Sequence, residues 1–180
     1  MTLDYKLGRW FDGHVTKEAA KDRLRLSERG GQLIGVVINL IVAVYFTALY
    51  TSGSNFFTSN FTSAEAALFF GTAYFGIIPS LLKLIIGSKN SIRPLDVVLS
   101  ILILIVVVLF LTAFPFDFTH LPDALPSSLQ FLLSWISDGL VKLLMVFGIV
   151  VSFVMIPYTT LLFLGVRRKL SRPAGEMNSK

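Results

Sequence analysis

The chain has 180 residues, 54% of them hydrophobic and only 15% charged, with a formal net charge of +5. Soluble domains run at about 45–50% apolar and about 25% charged; here the apolar residues also gather in runs too long for a soluble core, which excludes a soluble globular protein. The absence of cysteine excludes disulfides, thiolate metal sites and cysteine nucleophiles, and neither histidine, His14 or His120, lies in an apolar run where paired imidazoles could hold a haem.

Residues 1–30 carry seven Lys/Arg and five Asp/Glu and no apolar core, which is not the pattern of a signal peptide. Leu3, Leu7, Trp10 and Phe11 recur at i, i+4, i+7 and i+8. That spacing puts them on one helical face, with Asp4, Lys6, Arg9 and Asp12 elsewhere. It predicts an N-terminal amphipathic interfacial helix with Trp10 and Phe11 at the headgroup level; a soluble or disordered arm is the competing reading. A second, polar helix is expected to begin at Thr16 as N-cap, run through Ala19, Ala20, Leu24 and Leu26, and stop at Gly30-Gly31. Its charges are mixed in sign, so it reads as a solvated face and no nucleic-acid partner is expected.

A helix crossing the hydrocarbon needs about 20 apolar residues, and four segments qualify: approximately Gln32–Tyr50, Ala64–Gly87, Leu95–Phe114 and Leu140–Val166. They are expected to be helices because lipid offers no partner to exposed backbone N–H and C=O groups. The fold class is therefore all-α, a polytopic integral membrane protein of four transmembrane helices. It divides into an arm at 1–30, a bundle at 31–167 and a basic tail at 168–180. Fifteen of the sixteen Lys and Arg residues fall before span one, at the turn between spans two and three, or after span four. Only Lys142 falls on the other side, so both termini are expected in the cytoplasm. The opposite loops, Thr51–Ser63 and Pro115–Gly139, hold no Lys or Arg.

Span one carries Gly31, Gly35, Asn39, Ala43 and Thr47 at four-residue spacing, a small-residue stripe that admits a close neighbouring helix. Asn39 is read as packing glue and not as a ligand. Gly148 and Ser152 form a shorter version in span four. Span three is all Ile, Leu, Val and Phe from Ile101 to Leu111 and is expected to face lipid over much of its surface. Spans two and four share a pattern: Pro79 and Pro157 are each followed by glycine after eight residues (Gly87, Gly165) and by a basic residue after ten (Lys89, Arg167). Each proline is a candidate kink, and the likeness raises a duplication as one reading against chance.

Near the ends of the spans, Lys83 is expected to snorkel to the inner loop. Asp138 and Lys142 have the spacing of an ion pair on one helical face. Glu65 and Asp96 would complement the helix dipoles at the starts of spans two and three. Phe56, Phe57 and Phe61 are expected to rest on the outer headgroups, and Trp135, with Phe131, Leu132 and Leu133, to form a short second interfacial helix. No catalytic, cofactor or metal constellation is read, so no cofactor is expected. The expected function is non-enzymatic: helix–helix association, as an accessory or scaffold subunit or a homo-oligomer, with the lipid bilayer, itself or another membrane protein as partners. The alternative is a small transporter or cation-preferring channel formed by an oligomer, with a mid-membrane cavity lined by Asn39, Ser80, Thr159 and Thr160.

Overall fold

The computed structural model describes residues 2–171, with side-chain surroundings from residue 8 onward. Leu3 and Leu7 fall outside the described side chains, and residues 172–180 of the tail outside the described residues. All regular elements among the described residues are helical. Four helical stretches are long and apolar enough to cross a membrane.

Helix α1 (Thr2–Ala20) is continuous through Thr16. The Thr16 hydroxyl donates to the Asp12 carbonyl one turn back, at 2.6 Å. A threonine satisfied in this way sits inside a helix without starting one. The break falls later, at residues 21–25. Helix α2 (Leu26–Thr51) then runs through Gly30 and Gly31 without a stop. Each glycine costs about 1 kcal/mol of propensity, too little to end a helix that propagates into a long apolar run. Residues 26–31 and span one are thus one helix, which does not stop at Gly30-Gly31.

The second apolar stretch is two helices, α3 (Ser63–Phe75) and α4 (Ile77–Ile86), separated at Gly76. Pro79 lies in the first turn of α4 and is buried. It has no N–H for the carbonyl of Phe75, four residues back, and its ring crowds that carbonyl. The helix therefore breaks where the proline was expected to disturb it. Helix α5 (Lys89–Ala113) starts with Ser88 as its N-cap, six residues before the expected boundary. Helix α6 (Asp138–Leu170) spans 33 residues and passes through Pro157 without interruption. The two prolines of the apparent repeat therefore act differently. So do its glycines: Gly87 ends α4 in the left-handed region at φ 70°, whereas Gly165 lies inside α6.

Helix α5 is central. It packs most extensively on α6 and also touches α3 and α4, while α2 lies on α3 and α4, and α1 on α6. Val106 and Phe110 of α5 are buried. Of the stretch Ile101–Leu111 only these two are buried, and Ile101, Ile103, Ile105, Val108 and Leu109 stay exposed, in keeping with a helix open over much of its surface. An all-aliphatic surface needs no small residues to interlock with neighbours; ridges of branched side chains fit grooves equally well.

Candidate functional site

The end of the bundle that holds the α1–α2 elbow and the α4–α5 turn is polar. Leu24 donates its backbone N–H to Gly87 at 2.8 Å, and Lys89 donates its own to Asp22 at 2.9 Å. The Asp22 carboxylate accepts from the Asn90 amide at 2.7 Å and the Ser88 hydroxyl at 2.9 Å. Glu28 pairs with Lys89 at 2.8 Å, and Glu18 with the buried Arg93 at 2.5 Å. Arg93 also donates to Asn90 at 3.1 Å. The Arg29 guanidinium lies where a side chain at residue 87 would begin. It is the positive φ that requires glycine here, since the flexible end of Arg29 can move aside.

Lys83 and Asp96 meet across α4 and α5 at 2.8 Å. This corrects two expectations. Lys83 does not simply snorkel, and Asp96, in the third turn of an α5 that starts at Lys89, lies too far from the helix end to complement its dipole.

The two aromatic residues of the arm part company. Phe11 packs with Val15, Leu162 and Val166 against α6. Trp10 is 59% exposed and stacks on His14 at 5.1 Å. Val15 is only 2% exposed, and Gly165 admits it: a Cβ there would meet a Val15 methyl at 2.8 Å. Gly165 is a close-approach glycine that the repeat pattern hid as an end signal.

The opposite end is aromatic. Phe56 is 1% exposed and meets the rings of Phe46, Phe57, Phe116 and Phe118 at 4.8–5.6 Å. Asp117 donates its backbone N–H to Phe56 at 2.8 Å, and Thr58 donates to Pro115 at 3.1 Å. The expectation that Phe56, Phe57 and Phe61 rest on headgroups is corrected: the two loops tie together and fold their rings into the bundle's main core. Sixteen phenylalanines in 180 residues, several of them between spans, were the available signal. The Tyr45 hydroxyl donates to the Leu121 carbonyl and fastens the 3-10 helix Phe118–Ala124 to α2.

Carboxylates at this end serve the backbone. Glu65 accepts from the Thr62 amide at 2.7 Å in a reciprocal cap of α3. Asp138 accepts from the Phe118 amide at 2.9 Å. Its expected partner Lys142 lies 4.0 Å over the Phe114 ring; no ion pair joins the two among the described residues, which corrects that expectation. Asp117 is held below the usual carboxylate range, first by the Thr119 hydroxyl and then by the Thr119 amide. His120 bonds Asp123 at 2.9 Å. Trp135 is 68% exposed; its indole N–H donates to Leu132, and the short helix here is a 3-10 helix, Ser127–Leu132, which ends before Leu133 and Trp135.

The span-one stripe is split. Ala43 is buried, and Thr47 donates to the Ala43 carbonyl at 2.8 Å and lies 2.9 Å from the Tyr74 hydroxyl. Gly31 and Gly35 have nothing within 4 Å of where a Cβ would sit. Asn39 is exposed, and its amide makes no hydrogen bond within the described chain. A helix turns about 100° per residue, so a four-residue spacing drifts about 40° per step. Five such positions wind through about 160°, more than one straight neighbour covers. Gly148 is also open, and Ser152 turns its hydroxyl back to the Gly148 carbonyl at 2.8 Å. Beside the open face of α2, a cleft of about 500 Å³ is lined by Ile41, Val42, Leu125, Leu132 and Leu144 among others, with Tyr45 at its wall. Among the described residues, no group of three or more His, Asp or Glu is placed to hold a metal ion. Comparison of the chain with protein-family models, with curated proteins and with solved structures gives no match.

Proposed function

We propose that the four long apolar helices cross a bilayer with the polar end, and both termini, in the cytoplasm, and that the protein works without catalysis, by helix–helix association through α2. The partner is a second copy of the chain or another membrane protein, for which this chain is an accessory or scaffold subunit. One observation carries the reading: Gly31, Gly35 and Asn39 form the uncovered part of the stripe. In hydrocarbon an amide without a partner is costly, and small residues let a neighbouring backbone come close enough to supply one. The apolar lining of the cleft beside α2 favours this reading over the oligomeric transporter, as does Thr160, whose hydroxyl returns to its own helix at Ile156.

The chain has no native cysteine, so single cysteines report directly. In vesicles, Asn39→Cys is expected to form disulfide-linked dimers, or adducts with a co-purifying membrane protein, while Val98→Cys on the exposed side of α5 stays monomeric. Gly35→Leu should abolish the Asn39→Cys product. If Val98→Cys cross-links as readily as Asn39→Cys, α2 is not the contact surface. Orientation is tested separately: Ser171→Cys should label only from the cytoplasmic side, and labelling from outside overturns the topology.

A further inference from the structure

The acidic residues nearest the α1–α2 elbow are already used. Glu18 is taken by Arg93, Asp22 by Ser88 and Asn90, and Glu28 by Lys89. Lys21, Arg23 and Arg25 are left with no ion pair among the described residues, and the three are exposed. They do not point apart. With Ala20, Ser27 and Glu28 they line a notch of about 330 Å³ at the elbow. At the start of α2 the Glu28 carboxylate accepts the Arg25 backbone N–H at 2.9 Å, and the amides beyond it add the positive end of a 26-residue helix to the same field. Glu28 at the rim opposes an anion, but Lys89, 2.8 Å away, offsets its charge.

The neighbouring surface indicates where the anion comes from. Leu26, next to Arg25, is 86% exposed. On the 100° wheel it shares a face with Leu33, Val37, Leu40 and Val44, all of them exposed and apolar. From Leu26 to Leu33 the helix rises about 10 Å, and the headgroup layer is about 5–8 Å thick. If the apolar residues of that face mark the hydrocarbon, the notch sits at phosphate depth.

We propose that the elbow notch binds the phosphate of an anionic phospholipid, with Arg23 and Arg25 as its main ligands, Lys21 adding charge, and acyl chains running along the exposed face of α2. Guanidinium groups suit phosphate because they donate two parallel hydrogen bonds. This proposal rests on the bilayer reading and not on association through α2.

The test uses the full chain in neutral detergent, titrated with short-chain phosphatidic acid, short-chain phosphatidylcholine or inorganic phosphate, and read by native mass spectrometry. Phosphatidic acid is expected to bind tightest. Arg23→Gln/Arg25→Gln should weaken it about tenfold or more, whereas Arg167→Gln/Arg168→Gln, an equal charge loss at the end of α6, should change it less than twofold. Equal losses in the two pairs would reduce the effect to net charge and overturn the site. Inorganic phosphate binding as tightly as the lipid would overturn the lipid assignment. If the double variant melts differently from the parent without lipid, Lys21→Gln, whose side chain makes no described hydrogen bond, takes its place with an expected loss of about threefold; no loss there also overturns the proposal. Failure of this binding leaves the cysteine-labelling topology unaffected, so the two readings fail separately.

Discussion

At each end of the bundle, two connecting segments meet in a single antiparallel bridge, Arg23 with Ser88 at the polar end and Phe57 with Phe116 at the aromatic end. The backbone device is the same, and the side chains around it have nothing in common. Around the first lie carboxylates, guanidiniums and hydroxyls, with the carboxylates Glu18, Asp22 and Glu28 each in a specific pairing; around the second lies a dense group of phenylalanines in edge and tilted contacts. Polar fastening holds a defined arrangement but exchanges water bonds for protein bonds at small net gain. Ring packing is less directional and removes far more apolar area from water. The aromatic end is therefore expected to carry the stability, and the polar end to set how α1, α2 and the α4–α5 turn are arranged.

The largest expected effect tests that division. Phe56→Ala should cost about 3–5 kcal/mol in reversible unfolding, because the site is closed on all sides. A loss below about 1 kcal/mol would show that the loops carry little of the fold. Arg93→Met, at the polar end, keeps most of the volume but strands Glu18 and Asn90; about 2 kcal/mol is expected. Raising the salt to 1 M should shrink that loss and leave the Phe56 loss unchanged, since salt screens charge pairs and not ring packing. Equal salt responses would erase the distinction between the ends.

Gly165→Val should drive α1 off α6, at a cost of about 1–3 kcal/mol, with faster hydrogen exchange in residues 8–20. Gly148→Val, where nothing lies nearby, should leave exchange in the arm unchanged. Next comes the start of α6. Asp138→Ala should cost about 1 kcal/mol by freeing the Phe118 amide, and Lys142→Gln about 0.5 kcal/mol by removing a cation over the Phe114 ring. The double variant should be additive, as expected for groups that do not pair; a coupling near 1 kcal/mol would restore the ion pair. The smallest effect concerns Asp117. Its carboxyl titrates lower in the folded chain than its ordinary value of 3.8. Its contribution is therefore fully present above that value and lost as the pH falls through the lower folded value. Asp117→Asn should remove this contribution at neutral pH and flatten the stability profile below about pH 4, so that variant and parent converge in acid.

Much of the architecture was legible because it depends on local quantities. Length and apolarity marked four helices, since a run of about 20 apolar residues has few other solutions, and Pro79 marked the break in α3–α4 because a missing N–H acts within one turn. The same rules misjudged element ends. Thr16 and Gly30-Gly31 look like boundaries, yet Thr16 bonds back to Asp12 and the glycines lie in a helix that propagation carries through. Charged residues were read singly, as dipole partners or snorkelling groups, because their partners lie far off in sequence: Lys83 with Asp96, Glu18 with Arg93, Asp22 with Asn90.

The amino-acid sequence by itself determined that the chain is all-helical, that four stretches are long and apolar enough to span a membrane, and that the basic residues gather toward one end. Those are sums over near neighbours, and no tertiary contact alters them. Only the tertiary structure decided that α5 is central, that Gly165 and not Gly35 receives a close helix, that the loop phenylalanines turn inward, and that the stripe on α2 is half covered. Each of these depends on which face of one helix meets which face of another. A four-residue spacing that drifts about 40° per step cannot announce its own neighbour.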